Sequence, residues 1–126
     1  MRAVDTNILV RLISRDDPQQ LAAAEDYIRK GAWVSTVVLA ETSWVLASVY
    51  ELSDDQIATV VEMLLSHEYL SLQDSDVVSA ALEQFRAPSS PGFTDCLILE
   101  IARKAGHVPL GTFDKRLGKV HGAERL

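Results

Sequence analysis

Short apolar runs alternate along this chain with longer stretches in which apolar residues recur every three or four positions. Met1-Arg2-Ala3-Val4-Asp5-Thr6-Asn7 reads as an apolar strand that stops at a carboxylate and turns at once towards a helix. Ile8, Leu9, Leu12 and Ile13 then have the spacing of a short amphipathic helix ending near Ser14. Asp17-Pro18 starts a second helix, with Asp17 as N-cap and Pro18 at the first helical position, and Gly31 stops it. Ala32 to Ser35 is a short strand. A long hydrophobic helix follows from Thr36 or Val37 to about Tyr50. Ser53-Asp54-Asp55-Gln56 has the form of a capping box and opens a helix carrying Ile57, Val60, Val61, Leu64 and Leu65. Tyr69 to Leu72 is a third strand, Asp76 to Arg86 a helix, and Ala87-Pro88-Ser89-Ser90-Pro91-Gly92 a loop. Helical spacing returns from Phe93 or Thr94 to Ala105, stopped by Gly106. Val108 to Gly111 is a fourth strand, Asp114 to Leu117 one helical turn, and the last residues a short edge strand.

Strands alternating with helices, through connections long enough for crossovers, predict an α/β fold with a mostly parallel sheet covered on both faces. The length of 126 residues fits one domain, residues 1–126. Neither GxGxxG nor GxxxxGK[ST] occurs, so nothing points to a dinucleotide or a Walker-type nucleotide site.

Composition narrows the partners. A formal net charge of -6 argues against a generally basic protein that coats nucleic acid, because such binding rests on many Lys and Arg contacts to phosphate. A local basic patch is compatible with it. The single cysteine, Cys96, has no intrachain disulfide partner, and His67, His107 and His121 lack the paired spacing of a zinc site. A reduced, cytoplasmic setting is expected. No apolar run approaches the roughly 20 residues needed to span a bilayer, so no membrane association is expected.

Four carboxylates carry the candidate chemistry. Asp5 and Asp114 each lie just beyond a strand, where open α/β sheets bind ligands. Glu41 shares a helical stripe with Val37, Val38, Trp44 and Val45, and Asp95 lines up with Ile98, Leu99 and Ala102, so both are expected to point inward. By the same spacing Glu100, Arg103 and Lys104 face solvent, Trp44 is core, and Leu39, Leu46 and Tyr50, with Met63, form a second apolar surface. Singly, Asp5 and Asp114 also read as helix caps and Asp95 as a first-turn acid. Together, clustered acids repel one another and protonate unless a cation compensates, and a hard divalent ion such as Mg2+ or Mn2+ prefers oxygen ligands.

On these residues the chain resembles the PIN-domain ribonucleases, most closely the VapC-like toxins of type II toxin–antitoxin pairs. The resemblance rests on Asp5-Thr6-Asn7 after the first strand, Glu41 within Ser35-Thr36-Val37-Val38-Leu39-Ala40-Glu41, Asp95 within Thr94-Asp95-Cys96-Leu97-Ile98, and Thr112-Phe113-Asp114-Lys115-Arg116-Leu117. It implies a three-layer α/β/α sandwich, Mg2+- or Mn2+-dependent cleavage of single-stranded or looped RNA, a homodimer and a cognate antitoxin protein. It implies further that Asp5, Glu41, Asp95 and Asp114 form the acidic, metal-binding site and that Asn7 and Thr112, with Thr6, hold it by hydrogen bonds. Lys115 and Arg116 stand where some relatives carry a further acid. Arg11, Arg15, Lys115 and Arg116 follow site acids closely and are the candidate RNA contacts, with Arg86 and Lys119 more remote. Two alternatives stay open: a non-catalytic PIN-like binding module, and a nuclease acting on DNA.

Overall fold

Residues 1–126 are described by a computed structural model in which five strands and six helices alternate. The order is β1 (Arg2–Ala3), α1 (Thr6–Ser14), α2 (Pro18–Ile28), β2 (Ala32–Val34), α3 (Thr36–Ser48), α4 (Asp54–Leu65), β3 (Leu70–Leu72), α5 (Ser75–Arg86), α6 (Phe93–Ala105), β4 (Leu110–Thr112), a 3-10 turn (Leu117–Lys119) and β5 (Ala123–Arg125). The chain divides into two compact units, Met1–Ser75 and Asp76–Leu126.

In the first unit the strands pair in the order β1-β2-β3, all parallel, with Arg2 opposite Ala32 and Val34 opposite Leu72. Parallel strands end on one side, so Asp5, Ser35 and Gln73, each following a strand, share the carboxyl edge of this sheet. That edge is tied across by Gln73, whose Oε1 accepts from the Thr36 amide at 3.0 Å. Leu9, Val34, Leu39, Leu46 and Val61 are fully buried in this unit.

Helix starts follow side-chain chemistry. The carboxylates of Asp5 and Asp17 accept from the amides of Ile8 (3.2 Å) and Gln20 (3.0 Å), and the Ser35 hydroxyl accepts from the Val38 amide at 3.1 Å. The box at α4 is reciprocal: the Gln56 amide donates to Ser53 Oγ at 3.2 Å and the Ser53 amide to Gln56 Oε1 at 2.9 Å. Ser53→Ala is expected to lower unfolding stability by about 1 kcal/mol, read as a shift of the denaturant midpoint.

In the second unit β4 and β5 form a separate parallel pair, with Leu110 opposite Ala123 and Thr112 opposite Arg125. The 3-10 turn packs tightly on β5, because a Cβ at Gly118 would lie 2.6 Å from Arg125 Cβ. Phe85 meets Phe93 edge to face at 5.7 Å, beside the buried Cys96, Leu97 and Leu99 of α6.

Several local expectations are corrected. The opening strand pairs over only Arg2 and Ala3, both exposed, and apolar burial begins at Val4. The fourth strand is displaced from Val108–Gly111 to Leu110–Thr112, since Pro109 has no N–H to give a ladder. The helical turn expected at Asp114–Leu117 is instead a 3-10 turn at Leu117–Lys119, which Asp114 precedes.

Candidate active site

Three of the four acids have one oxygen already committed. Asp5 Oδ1 caps α1 through the Ile8 amide, and Asp114 Oδ1 accepts from the Leu117 amide at 2.7 Å. The Thr6 hydroxyl donates to Glu41 Oε1. Each bond fixes the carboxylate's direction and leaves its second oxygen for another ligand. Thr6 is itself buried in the first turn of α1, so in the first unit Glu41 is anchored to the residue that follows Asp5. In the second unit Thr112, at the end of β4, accepts from the Asp114 amide at 3.0 Å and so shapes the turn that presents the acid. Asn7, exposed in the first turn of α1, lines a cleft with Asp5.

Asp95 differs from the others. It is half-buried in the first turn of α6, and loss of water raises its pKa, with the negative charge of Asp114 adding to the rise. No three His, Cys, Asp or Glu side chains form a group that could hold a metal ion by themselves. Mg2+ accommodates that, because it is commonly bound by one or two carboxylates while keeping several waters and taking substrate phosphate oxygens. The donor set fits: every candidate ligand offers hard carboxylate oxygen, and a cation beside Asp95 would offset the repulsion from Asp114.

The raised pKa has a consequence for stability. The folded chain holds the Asp95 proton more tightly than the unfolded chain, so this residue's stabilising contribution is complete below the ordinary value of 3.8 and is lost as pH rises through the raised value. Asp95→Asn is therefore expected to raise the melting temperature of metal-free protein at neutral pH and to leave it unchanged in strong acid. Equal melting of parent and variant at neutral pH would contradict this.

A family model of the PIN domain matches residues 2–123. The chain belongs to the PIN-domain family. The match spans both acid-bearing units, and the parallel strands and six helices are those of a PIN-like α/β fold. PIN domains are in general metal-dependent nucleases, which places this one among the hydrolases at that level. Comparison with curated proteins and with solved structures gave no significant match.

Within this PIN domain the surroundings of Glu41 overturn the reading of α3. Val37 is 76% and Trp44 65% exposed, and Glu41 is exposed with them. The buried face is Leu39, Thr42, Ser43 and Leu46, so of the residues assigned to a second apolar surface Leu39 and Leu46 are core, Tyr50 is half-buried and Met63 is exposed, while Trp44 is not core. Thr42 and Ser43 can be buried because their hydroxyls bond back to the carbonyls of Val38 (2.7 Å) and Ala40 (2.8 Å). On α6, Ile98 is exposed, whereas Glu100, expected to face solvent, is largely covered and pairs with Arg103 at 3.2 Å.

The basic candidates separate in the same way. Arg11 is held in place, donating to Gln20, to Asp16 at 3.2 Å and to the Tyr50 hydroxyl at 3.2 Å. Arg15, Lys115 and Arg116 are exposed. Burial pushes the Cys96 thiol up to about 12, so it stays protonated and packs as a small core residue. No helix is long and apolar enough to cross a membrane.

Proposed function

We propose that this PIN domain is an endoribonuclease that cleaves single-stranded or looped RNA with Mg2+ or Mn2+, as the toxin of a toxin–antitoxin pair. The observation that carries the reading is the family match across a chain whose acids Asp5, Glu41 and Asp114 each keep one oxygen fixed and one available. With Asp95 they would hold the ion. A bound divalent ion supplies Lewis acidity and a water acidic enough to attack phosphorus near neutral pH. Thr6 holds Glu41 and Thr112 holds the Asp114 turn, so ligand directions are set before substrate arrives. Asn7 stands beside Asp5 in the wall of the neighbouring cleft. Arg15, Lys115 and Arg116 attract the phosphates of the RNA, and Arg11 adds a fixed positive charge beside the cleft at Asp5.

Two surfaces support the proposed protein partners. An apolar groove of about 370 Å³ in the first unit, lined by Leu12, Ile13, Val60, Met63, Leu64 and Leu70, suits an amphipathic antitoxin segment. The exposed Val37 and Trp44 face of α3 suits a homodimer contact.

Purified protein incubated with mixed RNAs and matched single-stranded DNA is expected to cut RNA with Mg2+ or Mn2+ and to stop on adding EDTA. Cleavage of DNA in preference to RNA would replace the substrate. Cleavage of neither, under any metal, would favour the binding module.

A further inference from the structure

Beside Asp5, α1 and α2 line an open cleft of about 410 Å³ that the proposed metal chemistry does not itself require. Its volume lies in the range of roughly 300–1,000 Å³ typical of small-molecule sites. Asp5 and Asn7 stand on one wall, Gln20 and Tyr27 on the other, and Arg11 is also in the lining. We propose that this cleft is a nucleobase subsite, which takes a base of single-stranded RNA next to the phosphate being cut.

The lining has the three properties that a base needs. Tyr27 provides an aromatic ring, and the Arg2 guanidinium lies 4.5 Å from its centroid, which steadies the ring and adds a positive charge beside it. Every base has a flat face that stacks on such a ring. Asn7 and Gln20 provide amides able to pair with the polar edge of a base. Gln20 Oε1 already accepts from Arg11 Nε, which orients the amide and leaves its NH2 as a donor. Arg11 is itself braced by Asp16 and by Tyr50, whose hydroxyl donates to Asp16 Oδ2 at 3.0 Å, so this wall is set in advance. The buried Ala24 and the exposed Ala23 keep the α2 side of the cleft small and apolar.

The subsite deepens the nuclease reading and rests on it for the word substrate, but its test requires no cleavage. Labelled oligoribonucleotides of A, C or U, and an abasic ribose-phosphate oligomer of the same length, are titrated with the Asp95→Asn protein in Mg2+. The oligomers carry equal charge, so their affinity difference isolates the bases. That difference is expected to fall about 10-fold when Tyr27→Ala is added and to be restored by Tyr27→Phe, which keeps the ring. Gln20→Ala is expected to change the ranking of A, C and U more than the mean affinity. Melting curves check that Tyr27→Ala remains folded. Should it unfold, Ala23→Leu, which fills the cleft from an exposed helix position, is expected to produce the same loss.

A base-dependent affinity that both substitutions leave intact overturns the subsite, as does equal binding of abasic and base-bearing oligomers. Loss of a protein partner through Tyr27→Ala with RNA affinity intact overturns it too. Base-dependent binding in a parent protein that cuts nothing would instead sink the nuclease reading and leave the subsite standing.

Discussion

Asp5→Asn is expected to lower metal-dependent cleavage by about 1,000-fold, equivalent to roughly 4 kcal/mol of transition-state stabilisation, while leaving the melting temperature close to that of the parent. The two effects separate because Asp5 has two tasks. Its Oδ1 caps α1 through the Ile8 amide, and asparagine, with the same shape and a carbonyl oxygen, caps a helix about as well. What asparagine lacks is the negative charge that holds a hard cation. Asp5→Ala is expected to match the loss of activity and to unfold more easily by about 1 kcal/mol, since the cap goes as well. Single-turnover rates in Mn2+ and thermal melts of both variants decide the matter. If Asp5→Asn cleaved as well as the parent, Asp5 would be a cap only.

Leu46→Ala is expected to cost about 3 kcal/mol of stability, whereas Trp44→Ala, two residues away on the same helix, is expected to cost less than about 0.5 kcal/mol. Leu46 is 1% exposed, and truncation leaves a cavity that the packed neighbours cannot fully close. Trp44 is 65% exposed and loses little protein contact when truncated. Urea denaturation of the two variants tests the direction in which α3 presents its faces. A large loss at Trp44 with tolerance at Leu46 would restore the opposite orientation, with Glu41 turned inward. In this orientation Glu41 faces outward, which suits a metal ligand that must also be reached by substrate.

The helices were legible because their ends are chemical. Asp17 before Pro18, Ser53 before Gln56, Gly31 and Gly106 act within a turn of where they stand, and the caps form as the spacing of those residues predicts. The alternation of strand and helix was enough for the parallel α/β class. The same local logic placed Asp5 and Asp114 beyond strand ends, although β4 starts two residues later than expected, past Pro109.

Tertiary structure decided what periodicity left undetermined. In α3 apolar residues surround the axis, so no single stripe marks the core, and Thr42 and Ser43 read as polar although each is buried with its hydroxyl satisfied by its own helix. Which face is covered then depends on what packs there, and α1 lies against α3 with Thr6 reaching Glu41. The braced wall of Arg11, Asp16 and Tyr50 joins residues up to 39 positions apart, a distance at which no local pattern carries information. The sequence by itself determined where most helices begin and which acids follow strands, because caps, breakers and alternation act over a few residues. Only the tertiary structure decided which faces are buried, which oxygens are committed and where a cleft opens beside Asp5, because those depend on which distant side chains are brought together.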